Sequence, residues 1–155
     1  MSLRSGGELK LTLEDHERAF TEVSFLLEML VRTAGEVVGR SMPSLGTNAG
    51  RQTARKLPIA PVQPELEAVI RAVSGSLAAG FGITGTCSGG GADLRIERCV
   101  VRDVCEQRGL PLGGELCKAF HHYLAGMVAQ LVGKPARPGA VGAGPTCTLR
   151  VEVQR

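Results

Sequence analysis

The stretch FGITGTCSGGGADLRIERC, residues 81–99, decides how the chain is read. Phe81-Gly82-Ile83-Thr84-Gly85-Thr86 and Leu94-Arg95-Ile96-Glu97-Arg98-Cys99 both alternate in side-chain character, the period of a half-buried strand and not of a helix. Between them Cys87-Ser88-Gly89-Gly90-Gly91-Ala92-Asp93 has the composition of a hairpin turn. The glycine run lacks phosphate-loop spacing and leads into a strand instead of a helix, so it does not read as a phosphate cradle.

On both sides of this hairpin the period changes to that of helices. Upstream, a long helix is expected from Thr12 to Val38. Thr12 and Asp15 form a capping-box pattern at its start, and Phe20, Val23, Leu27, Leu30, Val31, Ala34 and Val37 recur at steps of three and four. This stripe is expected to face inward. Phe25 and Met29 lie off it; either they meet a partner helix in a homodimer or they pack under the N-terminal arm. Residues 39–43 are expected to stop the helix. A shorter helix is expected over residues 46–57 with Ala49, Thr53, Ala54 and Leu57 on one side. Pro58, Pro61 and Pro64 then make a stiff connector, and a third helix is expected from Pro64 to Ala79, carrying Leu66, Val69, Ile70, Val73 and Leu77 inward.

Downstream, the pattern predicts a short helix over Val101–Gln107 and a longer one over Gly114–Val132, then a closing strand over Thr146–Val153. A further strand over Ala136–Val141 is weakened by Pro138 and Gly139. Helices before and between antiparallel strands give an α+β class: one antiparallel sheet with helices packed on one face, and a long N-terminal helix. Residues 1–11 are expected to be a disordered or vector-derived tail, and residues 12–155 one domain, a size that buries a core without disulfide staples.

Composition narrows the function. Apolar residues make up 43% of the 155, but aromatics only 3%, so the core must be aliphatic. A net charge of +3 with scattered basic residues gives no footprint for nucleic acid. No secretory signal and no membrane span are visible, so the expected compartment is the cytoplasm. There the five cysteines are expected to be reduced or to ligate a metal.

Four of the five gather late in the chain: Cys99, Cys105, Cys117 and Cys147. On the helix after residue 114, Cys117 and His121 are four apart and point the same way, which suits a pair of metal ligands. The competing reading is a buried thiol and a hydrogen-bonded core imidazole. No CxxC pair occurs, so a zinc ribbon is excluded, whereas an iron–sulfur cluster tolerates dispersed thiolates. The candidate metal set is therefore Cys99, Cys105, Cys117, His121 and Cys147, for zinc or an iron–sulfur cluster. Cys87 sits in the hairpin turn and reads as an unrelated exposed thiol. Arg102 and Asp103 are expected to pair, cap or line a pocket. No nucleophile–base spacing is visible, and no catalytic residue is assigned.

Three segments carry a resemblance to a known family. Cys117 with Tyr123 and Gly126 resembles the "C-x5-Y-x-x-G" helix of the 4-vinyl reductase domain family. Gly133-Lys134-Pro135 and Gly144-Pro145-Thr146-Cys147-Thr148-Leu149 resemble its closing strand, and Leu45-Gly46 with Gly50-Arg51 and Ala54 resembles an earlier glycine-containing segment. The resemblance covers about residues 40–153. It implies an α+β fold shared with vesicle-tethering TRAPP subunits, frequent dimerisation, and binding or sensing of hydrophobic compounds. Sensor members hold zinc through cysteines and a Glu before the last strand; Cys117 and Cys147 match two of those positions. The Glu-x-x-Cys part has no counterpart in ARPGAVGAG, residues 136–144. A weaker likeness connects Cys99, Cys117 and Cys147 with the sensory half of iron–sulfur transcriptional repressors, but Val100 replaces the proline and no DNA-binding helix-turn-helix precedes the domain.

The leading expectation is a non-catalytic, regulatory domain that binds a small hydrophobic ligand between sheet and helices, with Phe120, Tyr123 and Leu124 at the pocket. Ligand binding would shift the long N-terminal helix for a partner to read. The alternatives are a metal or iron–sulfur redox protein and a structural assembly module.

Overall fold

The computed structural model describes residues 10–58 and 64–155. Most of the tail expected at 1–11 and the centre of the proline connector, including Pro61, lie outside the described residues.

Helix α1 spans Leu13–Val38. It starts where the capping pattern places it: Thr12 Oγ1 accepts from the Asp15 N–H at 3.2 Å, and the Asp15 carboxylate accepts from the Thr12 N–H at 2.8 Å. A single 3₁₀ turn, Gly39–Ser41, leads into α2, Met42–Ala54. That helix begins earlier than expected. Pro43 lies in its first turn, where a missing N–H costs nothing, so it opens α2 and does not terminate the helix before it.

The next elements are α3 (Leu66–Ser76), β1 (Phe81–Ser88), β2 (Gly91–Cys99), α4 (Val100–Arg108), α5 (Glu115–Val132), β3 (Ala136–Gly142) and β4 (Cys147–Val153). The hairpin turn is tighter than the composition suggested. Only Gly89 and Gly90 lie between β1 and β2, at φ 54° and 77°, a two-residue turn that glycine permits without strain. Cys87 consequently belongs to β1, and it is exposed.

The strands form one antiparallel sheet in the order β1-β2-β4-β3. Strand β3 pairs with β4 despite Pro138, because an edge strand needs hydrogen bonds on one side only; a register irregularity between Pro138 and Val141 absorbs the misfit. Ala92, Leu94 and Ile96 of β2 and Leu149 and Val151 of β4 point to one face, where they are buried with Val69, Ile70 and Val73 of α3 and Phe120, Leu124, Met127 and Val128 of α5. The other face carries Arg95 beside Glu97, and Arg150 beside Asp93. The class is therefore α+β, with the long N-terminal helix present.

Helix α5 is the centre of the molecule. Helix α2 crosses it with backbone against backbone: a Cβ on Gly50 would lie 2.0 Å from the Tyr123 carbonyl oxygen, and one on Gly46 would lie 2.2 Å from that of Ala119. The buried face of α2 is thus Met42, Gly46, Gly50 and Ala54. The face expected from Ala49, Thr53, Ala54 and Leu57 was chosen by side-chain apolarity, whereas a close helix crossing selects for the absence of a side chain.

The inward stripe expected on α1 is corrected most. Val23, Leu30 and Val37 are exposed, Leu30 at 65% and Val37 at 78%. Phe20, Leu27, Val31 and Ala34 are only half-buried. The two buried residues of α1 are polar, Ser24 and Glu28. They are buried because α1 docks on α4 through polar groups. Arg108 Nε donates to Glu28 Oε2 at 2.7 Å and Gln107 Nε2 donates to Thr21 Oγ1 at 3.0 Å, while the Arg108 guanidinium lies 5.3 Å from the Phe25 ring centre. The Arg108 hydrogen bond holds the Glu28 carboxyl below its ordinary range. No helix among the described residues is long and apolar enough to cross a membrane.

Candidate functional site

The late cysteines meet where β2 ends, β4 begins and α5 starts. Cys99 is the last residue of β2, and Cys147, the first of β4, follows a glycine-rich loop. Ile96 pairs with Cys147 in register across these two strands. Cys117 and His121 stand one turn apart on α5, above the same corner of the sheet. Helix α4, which follows β2 in the chain and packs on α5 and α1, adds Cys105 in its second turn.

A pocket opens at this corner. The enclosed part is small, about 20 Å³, and with its mouth the empty space reaches about 380 Å³. An enclosed volume of that size takes about one water. Cys99, Cys117 and Cys147 line it together with Phe120 and His121, and Ile96 and Val101 complete its inner wall. Leu112 and Gly113, from the α4–α5 loop, and Ala143 and Gly144, from the β3–β4 loop, border the mouth. The surface the pocket presents is apolar.

Phe120, expected at a ligand pocket, does line this one. It stacks on Phe81 with ring centres 4.3 Å apart and planes 12° apart, so its position is held by β1. Tyr123 and Leu124 stand away from the pocket. Leu124 is fully buried in the core, and Tyr123 packs against that core with its backbone under Gly50. Cys105 is fully buried and does not line the pocket, and Cys87 lies apart from it.

The polar groups of the site are turned on one another. Cys147 Sγ lies 3.7 Å from His121 Nε2. Burial, and secondarily the neighbouring His122, pulls the His121 pKa below its ordinary 6.5, which favours a neutral ring able to accept from the thiol. Burial likewise pushes the Cys99 and Cys147 thiols up. Cys105 is pushed up to about 12, by burial and then by Cys117. Arg102 also lines the cavity, and its guanidinium is spent on carbonyls: Nη1 donates to the Gly144 carbonyl at 3.1 Å and to that of Pro145, and Nη2 donates to the Glu97 carbonyl at 2.6 Å. Of the readings open for Arg102, lining a pocket is the one the structure shows, and the residue also ties strand end, helix and loop together.

These residues do not fit a metal as they stand. Among the described residues no group of three or more His, Cys, Asp or Glu is arranged to hold one. Of the five residues the sequence singled out for a metal, Cys99, Cys117, His121 and Cys147 line one pocket and Cys105 does not; Leu112, Gly113, Ala143 and the fork of Arg102 were not found from sequence. Only the glycine content of the two loops signalled their closeness.

No family model and no curated protein matches the chain. The fold is similar to a solved structure, the crystal structure of the phenol-responsive sensory domain of the transcription activator PoxR with phenol. The TM-score is 0.62 at 15% sequence identity, over 84% of this chain and 74% of that one, which shows a shared fold.

Proposed function

We propose that this chain is a non-catalytic sensing domain that binds a small, largely apolar aromatic molecule in the pocket bordered by Phe120, His121 and Cys147. The observation that carries this reading is an apolar cavity whose polar neighbours are already partnered. His121 faces Cys147, and Arg102 spends its donors on carbonyls, so little remains to bind a charged or strongly polar substrate. Two likenesses support it: motifs similar to the 4-vinyl reductase domain family, and a fold similar to a sensory domain that responds to phenol. A ring stacked beside Phe120 with one hydroxyl directed at the His121–Cys147 pair would match the available chemistry.

Regulation would run through α1. The exposed apolar side chains Val23, Leu26, Leu30 and Val37 form a ridge that a second copy of α1 would cover, making a homodimer. Helix α4 touches the pocket through Val101 and Arg102 at one end and α1 through Gln107 and Arg108 at the other. A ligand that shifts α4 therefore shifts α1.

Thermal shift with phenol and its alkyl derivatives tests the binding. Ligand at about a hundred times its Kd stabilises by about 2.7 kcal/mol, a clear rise in Tm. No rise with any compound, or an equal rise when Phe120 is replaced by Asp in a folded variant, counts against the reading. Light scattering tests the dimer, which Leu30→Asp is expected to split.

A further inference from the structure

We infer that Arg102 pins the loop of residues 143–146 across the pocket mouth, and that this loop is the gate of the pocket. That a ligand uses the gate rests on the function proposed above; the existence of the gate does not.

Both edges of the loop fall where sheet pairing stops. The β3–β4 ladder ends at Gly142 opposite Thr148, and the β2–β4 ladder ends at Ile96 opposite Cys147. Among the described residues, no backbone hydrogen bond outside the ladders holds residues 143–146. What ties the loop down is one side chain. Arg102, in the first turn of α4, donates to the carbonyls of Gly144 and Pro145 and braces the same guanidinium on the Glu97 carbonyl at the end of β2. The planar fork of a guanidinium presents donors on separate nitrogens in a fixed geometry, whereas an ammonium has all its donors on one nitrogen.

The held loop narrows the pocket mouth. Ala143 and Gly144 form one lip, and Leu112 and Gly113 form the other. The lips are close enough that a Cβ at Gly113 would touch the Ala143 Cβ at 3.5 Å. Behind them the enclosed space takes about one water, so an organic molecule enters only if a lip moves. The 143–146 lip is the one whose release costs two side-chain hydrogen bonds and no ladder. Arg102 is thus a positioning residue that sets access.

The pocket's own thiols report on the gate without any ligand. Cys117 and Cys147 line the pocket and are half-buried, Cys105 is buried outside it, and Cys87 is exposed. The experiment is labelling by N-ethylmaleimide, followed site by site by peptide mass spectrometry. In Arg102→Ala the labelling rate of Cys117 and Cys147 is expected to rise about tenfold, as loss of charge-assisted hydrogen bonds predicts. Arg102→Lys, which keeps the charge and loses the fork, is expected to give a smaller rise. Cys87 and Cys105 are expected not to change in either variant. Unchanged Cys117 and Cys147, or a parallel rise at Cys105, overturns the inference. Should Arg102→Ala not fold, Arg102→Lys and the unaltered protein decide. In the unaltered protein a gate lets Cys147 label at a rate nearly independent of low urea, while Cys105 accelerates steeply. One steep dependence common to both overturns it. Failure of phenols to bind would leave these rates as they are, so the gate and the ligand reading fail separately.

Discussion

Helices α1 and α5 are both long, and both carry apolar residues at helical spacing, yet they occupy opposite situations. In α5 every residue from Phe120 to Ala129 except His122 and Tyr123 is buried, because the sheet, α2 and α3 surround it. In α1 only Ser24 and Glu28 are buried, and the apolar ridge faces outward. Apolar periodicity therefore states that a helix has a face to cover, and not that its own chain covers it. In α5 the covering elements are intramolecular. In α1 the intramolecular contact is built on Glu28 and Arg108, and the apolar ridge is exposed.

Substitutions separate these situations. Leu124→Ala, in the fully buried heart of α5, is expected to cost about 2–5 kcal/mol in urea unfolding. A loss near zero would mean that α5 is not the core the structure describes. Next is Gly50→Ala, which places a methyl on the Tyr123 carbonyl. The α2–α5 crossing has to open to admit it, at a cost of about 1–3 kcal/mol, whereas Gly35→Ala in α1, with open space around it, is expected to be neutral or slightly stabilising. Equal effects at the two glycines would erase the contrast. Smallest is Leu30→Ala, within about 0.5 kcal/mol for the isolated chain. Its effect is expected to grow with protein concentration if the ridge pairs, and concentration-independent unfolding would argue against pairing.

The pocket adds a dependence on pH that sets in above the acid range in which α1 loses the contributions of Asp15 and Glu28. His121 has its pKa depressed in the fold, so the unfolded chain takes up a proton first as pH falls. Stability is whole above the unfolded value of 6.5 and declines as pH drops through and below it. Unfolding midpoints at pH 7 and pH 5 are expected to differ more in the unaltered protein than in His121→Gln. The buried thiols have the opposite sign: with Cys105 raised to about 12, stability is whole below 9.0 and is lost as pH rises above it.

The extent of the fold that could be read from sequence follows the range of the interactions. Capping at Thr12 and Asp15, alternation in β1 and β2, and the periodicity of α3 and α5 are local, and each appeared close to where expected. Strand β3 was doubtful because Pro138 is forbidden only in a strand with neighbours on both sides, and edge position is a property of the whole sheet. The glycine faces of α2 and α5 were invisible because apolar patterning scores side chains, and here the backbone makes the contact. At the site, the gathering of Cys99, Cys117, His121 and Cys147 could be anticipated from their residue types. Their arrangement as a neutral, apolar wall could not, since it depends on burial and on which polar group meets which. The Arg102 fork joins residues more than forty positions apart, a separation at which spacing carries no signal.

The central claim is that the corner between β2, β4 and α5 takes up a small aromatic molecule. The most direct measurement is an NMR titration of phenol into protein labelled at histidine, following the ring signals of His121 against those of His16 on α1. A saturable shift at His121, absent at His16 and lost when Phe120 is replaced, is the predicted result. Shifts at neither ring, or equal shifts at both, would contradict it.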